Sequence, residues 1–360
     1  MFWSSGRNGG KKVPKPKYSI VIPAYQAAEE IKACLEALNA QTVPREWYEI
    51  IVVDDGSTDK TAEAAKEAGA DKALKVSHGG PARARNVGIE AAEGDIILFT
   101  DADCQPGPEW IERISAPFID PEVSGAKGTY RSRQQAIIAR LVQLEYEFRY
   151  ERMANAPRID FIDTYSAAYR RSVLLQAGGF DPSFPVPSAE DVDLSFRLAS
   201  AGHKLVFVPD AWVWHTHPDK LASYLKRKAR FGFWRALLYL RYPHKIQGDA
   251  HTDPNLKVQF ALMALIILSL IGGLAWEPLS ALSLVFSGAF IATTIPFARW
   301  AWKRDRSVAI LWPFVSLARV LIQGTGLAFG LIYHGLLSRH KVKAPSLQTA
   351  AICKSSDPKH

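Results

Sequence analysis

From Tyr18 onward the chain alternates short apolar runs with longer segments whose apolar residues recur at helical spacing. Residues 19–22 (closed by Pro23), 49–53, 73–76 and 95–99 read as strands, because continuous runs of this length fit strands buried on both faces. Between them, residues 28–40, an Ala/Glu/Lys-rich stretch stopped by Gly69, and the segment from Pro81 to near Gly94 read as helices. Strands alternating with helices of this length predict an α/β domain built on a mostly parallel, doubly wound sheet. Further on the order loosens: a strand at 123–132, a long amphipathic helix at 134–155, a strand at 159–169, a helix at 188–201 and a strand at 204–208 are expected.

The pattern changes beyond about residue 250. Residues 258–276 and 279–298 hold no charged side chain, and only Glu277 and Pro278 separate them. A bilayer core takes about 20 apolar residues per helix, so the two runs predict a transmembrane hairpin. Arg299, Lys303, Arg304 and Arg306 follow it, and by the positive-inside rule they are cytosolic, on the side of the α/β domain. The third apolar segment, 308–337, is interrupted by Pro313, Arg319, Gly324, Gly326 and Gly330. It reads as a crossing preceded by an interfacial helix, or as a re-entrant hairpin; three crossings are expected, although Arg339, Lys341 and Lys343 after it favour two. Arg319 is expected at a lipid phosphate or snorkelling to the interface.

Charge sharpens this division. The 360 residues carry a formal net charge of +8, which fits anionic lipid or nucleic acid as partner. The basic residues stand beside apolar segments, which favours the lipid bilayer and no nucleic acid. Residues 221–242 interleave aromatics with Lys226, Arg227, Lys228, Arg230, Arg235 and Arg241, the composition of a helix lying at headgroup level. The expected organisation is a basic disordered tail (1–17) with no signal-peptide core, a catalytic α/β domain (18–217), an interfacial helix and linker (218–255), a transmembrane region (256–337) and a tail (338–360). Cys34, Cys104 and Cys353 are odd in number and far apart; they form no disulfide framework or metal-ligand spacing, and a reducing cytosol suits them. The expected location is the cell membrane, multi-pass, with the catalytic domain cytoplasmic.

Acidic residues cluster where such sheets bind ligands, past the carboxyl ends of strands. Asp101-x-Asp103 suits Mg²⁺ or Mn²⁺ bridging two phosphates, since these cations take hard oxygen ligands; the alternative is a solvated turn. Asp54-Asp55-Gly56-Ser57 suits a base or ribose, or else an N-cap. Glu190-Asp191 opens a helix as a capping carboxylate or a general base. His215 and His217 are candidates for a metal ligand or phosphate contact, with His215 the metal choice, or are structural.

Taken together these motifs carry a resemblance. Val21-Ile22-Pro23-Ala24-Tyr25, Val52 to Asp59, Gly80 to Gly88, Phe99 to Asp103, Gly178-Gly179-Phe180-Asp181 and Glu190 to Ser195 resemble, in order and spacing, the family 2 glycosyltransferases over roughly residues 18–235. The resemblance implies a GT-A fold and a nucleotide-sugar donor, with a UDP-sugar expected. On it, Pro23, Ala24, Tyr25 and Asp55 line the base pocket, and Arg85 approaches base or phosphates. Asp101 and Asp103 hold the cation on the diphosphate, Asp191 deprotonates the acceptor hydroxyl and Glu190 helps position the acceptor. One such displacement inverts the anomeric centre. Where membrane polysaccharide synthases of the family carry Gln-x-x-Arg-Trp, this chain has Arg227-Lys228-Ala229-Arg230-Phe231, which keeps the arginine and changes the other two positions; Arg227 and Arg230 remain candidates for the acceptor or phosphate side. That departure, the lack of an apolar helix before the domain and the few after it argue against a processive synthase. The expectation is a hexosyltransferase-type enzyme adding one sugar to a lipid-linked or other membrane-proximal acceptor in cell-envelope glycan or glycolipid assembly. A processive synthase and an inactive membrane scaffold stay open as alternatives.

Overall fold

The computed structural model describes residues 16–337 apart from 247, 250 and 251. The expected tails, with Cys353 and the basic residues near 340, therefore lie almost wholly outside the described residues.

The chain up to Phe99 forms the predicted alternation: β1 (Tyr18–Ala24), α1 (Glu30–Asn39), β2 (Tyr48–Asp54), α2 (Thr61–Glu67), β3 (Lys72–Lys75), α3 (Pro81–Ala91) and β4 (Ile96–Phe99). Every residue of β2 and β4 is buried, as expected of strands covered on both faces. The rest of the domain adds β5 (Gln105–Pro106), α4 (Trp110–Ser115), β6 (Val123–Arg131), α5 (Ile137–Ala154), β7 (Ala167–Arg170), α6 (Arg171–Gln176), α7 (Glu190–Ser200) and β8 (Lys204–Trp214). All eight strands join one sheet in the order β3-β2-β1-β4-β7-β6-β8-β5. The β3-β2-β1-β4 half is parallel. In the other half β7 runs antiparallel to β4 and β6, β5 antiparallel to β8, and β6 parallel to β8.

Three expected elements differ. Only Ala167–Arg170 of the 159–169 run is a strand, because Asp163 turns inward to pair with buried Lys127, which no regular strand register accommodates. β8 continues past 208 to Trp214; a register shift opposite Lys127/Thr129 absorbs the irregularity, and the strand resumes pairing at Trp212. The helix expected to be amphipathic, α5, buries residues around its circumference, including Ile138, Leu141, Val142, Leu144, Tyr146 and Tyr150. It lies between the sheet and the apolar helices, with Tyr150 donating to Tyr165 or accepting from it, and Phe148 packed on Phe297 and Trp300.

The last third comprises α8 (Leu221–Arg241), α9 (Pro254–Gly273), α10 (Pro278–Trp302) and α11 (Arg306–Ile332), the last prolonged by a π-helical turn at Tyr333–Leu337. The last three are long and apolar enough to cross a membrane. α9 and α10 form a hairpin whose tip bears Leu274, 89% exposed, and Trp276. α11 runs unbroken through Pro313, so the re-entrant hairpin is not formed. Its glycines serve close packing. A Cβ on Gly326 or Gly330 would stand 2.2 or 2.3 Å from the carbonyl oxygens of Ala229 or Phe233 in α8, and one on Gly232 of α8 would stand 2.1 Å from that of Gln323. Small residues let two helix backbones touch. Arg319 neither reaches a lipid phosphate position nor snorkels: it is 5% exposed, donates to Glu145 and Gln259, and lies over the Trp312 ring.

Candidate active site

The strand ends place the acidic motifs around one cavity of about 1000 Å³. Asp55 follows β2, Asp101 and Asp103 follow β4, and Glu190 and Asp191 begin α7; the cavity's wall includes all five. Pro23, Ala24, Tyr25, Arg85, His215, Arg227 and Arg230 line it too. These twelve candidates for donor, cation, base or acceptor side therefore border the same space, whereas His217, Asp54, Gly56 and Ser57 do not line it.

Arg85 organises its floor. One terminal nitrogen donates to Glu190 Oε1 at 2.8 Å and the other to Asp101 Oδ1 at 3.0 Å, while the guanidinium lies over the Phe180 ring. Phe180 is held in turn by Asn86, whose side chain donates to the Phe180 carbonyl and accepts from its N–H, both at 2.8 Å. Gly179 has φ +70° and would bring a Cβ within 2.4 Å of Asn86 Oδ1, so this turn needs glycine. Arg85 is thus paired with two carboxylates, while its Nε is shut from solvent without a hydrogen-bond partner among the described residues. Glu190 is 3% exposed, and its second oxygen accepts from the Ser188 and Ala189 N–H groups. Glu190 thereby ties the start of α7 to the two residues before it.

Asp55 is similarly occupied. Its oxygens accept from the N–H groups of Gly79 and Gly80 at 2.9 and 2.8 Å, and His78 Nδ1 stands 2.9 Å away. The His78 ring packs on Tyr25, centroids 4.4 Å apart, and Tyr25 is half exposed to the cavity mouth. Asp55 therefore holds, through the 78–80 loop, the His78 ring against Tyr25 at an interplanar angle of 31°. Gln26, beside it, has φ +52°; such strain in a non-glycine residue gathers at ligand sites.

Asp103 is half exposed and stands 3.6 Å from His215 Nδ1. Asp103, Cys104 and His215 can bring one ligand atom each within 4.8 Å of one another. Burial, then the charge of Arg227, lowers the His215 pKa to about 4, so its imidazole is neutral and available as a ligand at neutral pH. Burial first raises the proton affinities of Asp101 and Asp103. Cys104, which its sequence spacing left without a ligand partner, lies 3.9 Å from His215, brought there by the pairing of β5 with β8. His217 is structural: 2% exposed, it meets Gln143 Oε1 at 2.9 Å.

Asp191 is a different kind of carboxylate. Among the described residues its side chain accepts only from its own neighbour, the Val192 N–H, and burial, then the charge of Glu190, pushes its pKa well above the ordinary carboxylate range. A half-buried carboxylate with raised proton affinity on the wall of a cleft suits proton abstraction.

Several lining residues were not foreseen. Asp163 pairs with fully buried Lys127, which also donates to Tyr165. Glu145, Arg149, Arg152 and Lys228 line the side toward the apolar helices. Lys228 was marked only as one basic residue of the expected headgroup-level helix, and no signal marked Asp163, Lys127, Glu145, Arg149 or Arg152.

Residues 19–177 match the family model described as glycosyl transferase family 2. Glycosyltransferase AglE of Haloferax volcanii is 31% identical over 231 residues, covering 60% of this chain and 72% of that protein. A pre-mycofactocin glycosyltransferase of Mycobacterium tuberculosis is 29% identical over 341 residues, covering 84% and 67%. In fold the chain resembles the mannosyltransferase PcManGT from Pyrobaculum calidifontis, solved in complex with GDP-Man and Mn²⁺, with TM-score 0.56 and 22% identity over 88% of each chain. With its GT-A-like mixed α/β sheet and its apolar C-terminal helices, this chain is a glycosyltransferase and belongs to family 2.

Proposed function

We propose that the enzyme moves a single sugar, with inversion, from a nucleotide-diphosphate sugar to an acceptor presented at the membrane surface. The observation that carries this reading is the continuity of the cavity. It runs from Tyr25 and Asp55, past Asp101, Asp103 and Asp191, to Phe260 and Leu327 on the apolar helices. The donor's base rests on the Tyr25–His78 pair with Pro23 and Ala24 beneath it. Asp101, Asp103 and His215 offer two carboxylates and a neutral imidazole, a donor set that fits Mn²⁺ or Mg²⁺; the Pyrobaculum enzyme's GDP-Man and Mn²⁺ support the same kind of donor and ion. When bound, the cation supplies charge that stabilises the departing diphosphate. Arg85 and Glu190 act as positioning residues, fixing Asp101 and the start of α7. Asp191 takes the proton of the acceptor hydroxyl as that oxygen attacks the anomeric carbon, and a single displacement without an enzyme nucleophile inverts it. Arg227 and Arg230 stand on the acceptor side of the mouth.

The same reading places the catalytic domain on the cytosolic face with two crossings. The α9–α10 hairpin projects away from the domain, whereas α11 stays on it. Its buried positions Val308, Trp312, Val315, Arg319 and Val320 share one face, Asp305 just before it pairs with Arg140 of α5, and its far end packs on Phe233 and Trp234 of α8 through His334. A helix held to a soluble domain at both ends lies along the interface, with Ile310, Phe314 and Phe329 toward lipid. This also puts the basic tail on the cytosolic side, as its charges prefer. With Cys353 replaced by serine, a single cysteine at Leu336 should be labelled by an impermeant maleimide from the same side as the catalytic domain, and one at Trp276 from the opposite side. Leu336 labelled from the opposite side would mean a third crossing.

The chemistry is tested by Asp191→Asn, which should slow transfer by roughly 10²–10⁴-fold and leave nucleotide-sugar binding nearly intact. Wild-type turnover in this variant would remove Asp191 from the mechanism.

A further inference from the structure

The membrane-facing end of the cavity carries more positive charge than its own carboxylates answer. Glu145 and Arg149 on α5 are four residues apart and Arg152 follows three later, so all three share a helix face. Tyr224 and Lys228 of α8 present a matching face. Glu145 receives Arg319 at 2.8 Å, Lys228 at 3.1 Å and the Tyr224 hydroxyl at 3.1 Å, so one carboxylate serves two cations. Arg149 and Arg152 have no carboxylate at ion-pair distance among the described residues. They lie over the Tyr146 and Phe148 rings, and Arg149 Nη1 and Arg152 Nε are shut from solvent without a hydrogen-bond partner. Burial, with the Arg319 and Arg149 charges adding to it, lowers the Lys228 pKa to about 8 despite Glu145. These cations are half-buried, Arg149 and Arg152 keep a nitrogen each for a further acceptor, and guanidinium groups match phosphate geometry. Beyond them the wall turns apolar, with Phe260, Trp312 and Leu327 from the membrane helices.

We propose that Arg149, Arg152 and Lys228 form a second anion subsite, apart from the Asp101/Asp103 end, which holds the phosphate of an amphiphilic acceptor whose hydrocarbon chain leaves between α8, α9 and α11. This rests on the proposed transfer to a membrane acceptor and names the chemistry that acceptor carries: a phosphate or diphosphate ester of a long-chain alcohol. The anchored phosphate holds the acceptor's sugar hydroxyl toward Asp191, with no bond made or broken at the subsite itself.

Binding to the full chain in neutral-lipid nanodiscs tests this without turnover. A long-chain prenyl phosphate should bind at least about tenfold more tightly than the matching prenol, a difference of roughly 1.4 kcal/mol, and inorganic phosphate far more weakly than either. Arg149→Gln with Arg152→Gln should erase the preference for the phosphate, and Arg149→Lys with Arg152→Lys should restore most of it. Mn²⁺-dependent nucleotide binding checks that each variant folds. Equal affinity of the wild type for prenol and prenyl phosphate, or a preference untouched in the glutamine variant, would overturn the subsite. Inorganic phosphate binding as tightly as the prenyl phosphate would overturn its assignment to a lipid. None of these readouts depends on Asp191, so failure of the catalytic reading is distinguishable from failure of this one.

Discussion

Around Asp101 one guanidinium serves two carboxylates, Asp101 and Glu190; around Glu145 one carboxylate serves two cations, Lys228 and Arg319. The first arrangement stands beside the carboxylates proposed to meet a divalent cation, the second in the part of the cavity proposed to meet an anion. Each end of the cavity is thus left with the charge opposite to its proposed ligand, and that residual charge is a cost the ligand removes. The ends also differ in construction. The donor end is assembled from loops at the carboxyl ends of β1, β2 and β4, tied by backbone N–H groups as at Asp55. The acceptor end is assembled from helix faces, with rings rather than backbone donors beside the cations.

That contrast can be broken by mutation. Arg85→Gln leaves buried Glu190 without its ion-pair partner and half-buried Asp101 with one fewer, and should cost about 3–5 kcal/mol of stability and abolish nucleotide binding, read by thermal unfolding and ligand titration in detergent. Arg149 is half-buried and has no carboxylate at ion-pair distance among the described residues, so Arg149→Gln should cost far less and leave the ligand-free melting temperature close to that of the wild type. If both variants lose similar stability, the two ends do not differ in the way described.

A smaller effect lies in the pH profile. Asp191 must be ionised to take a proton, and burial with the neighbouring Glu190 charge raises its pKa well above the usual carboxylate value. Transfer should therefore rise with pH through that raised value. An acid limb of kcat/KM near about 4, the ordinary carboxylate range, would contradict the environment assigned to Asp191.

The donor end was legible in the sequence because it is local: each acidic motif sits immediately after a β-rich run or opens a helix, so strand order alone gathers Asp55, Asp101, Asp103 and Asp191. His215 was legible for the same reason, once β8 is seen to extend to Trp214. The acceptor end was not. Glu145 and Arg319 meet across 174 positions, and nothing in the periodicity of α5 distinguishes a face turned to the sheet from one turned to the apolar helices, since both are buried. Arg319 looked like a residue seeking the interface because its partner lies on another element. The α11 glycines looked like breaks because their use, contact with the α8 backbone, depends on a neighbour 90-odd residues earlier. The strand expected at 159–169 failed at Asp163, whose pull toward Lys127 comes from β6.

The central claim is a single displacement at the anomeric carbon with Asp191 as the base, and the stereochemistry of the product reads it directly. With a donor selected by screening nucleotide-sugars, ¹H NMR of the glycoside formed should show the anomer opposite to that of the donor, and Asp191→Asn should suppress its formation. A product retaining the donor's configuration would require two displacements and an enzyme nucleophile, and would contradict the account.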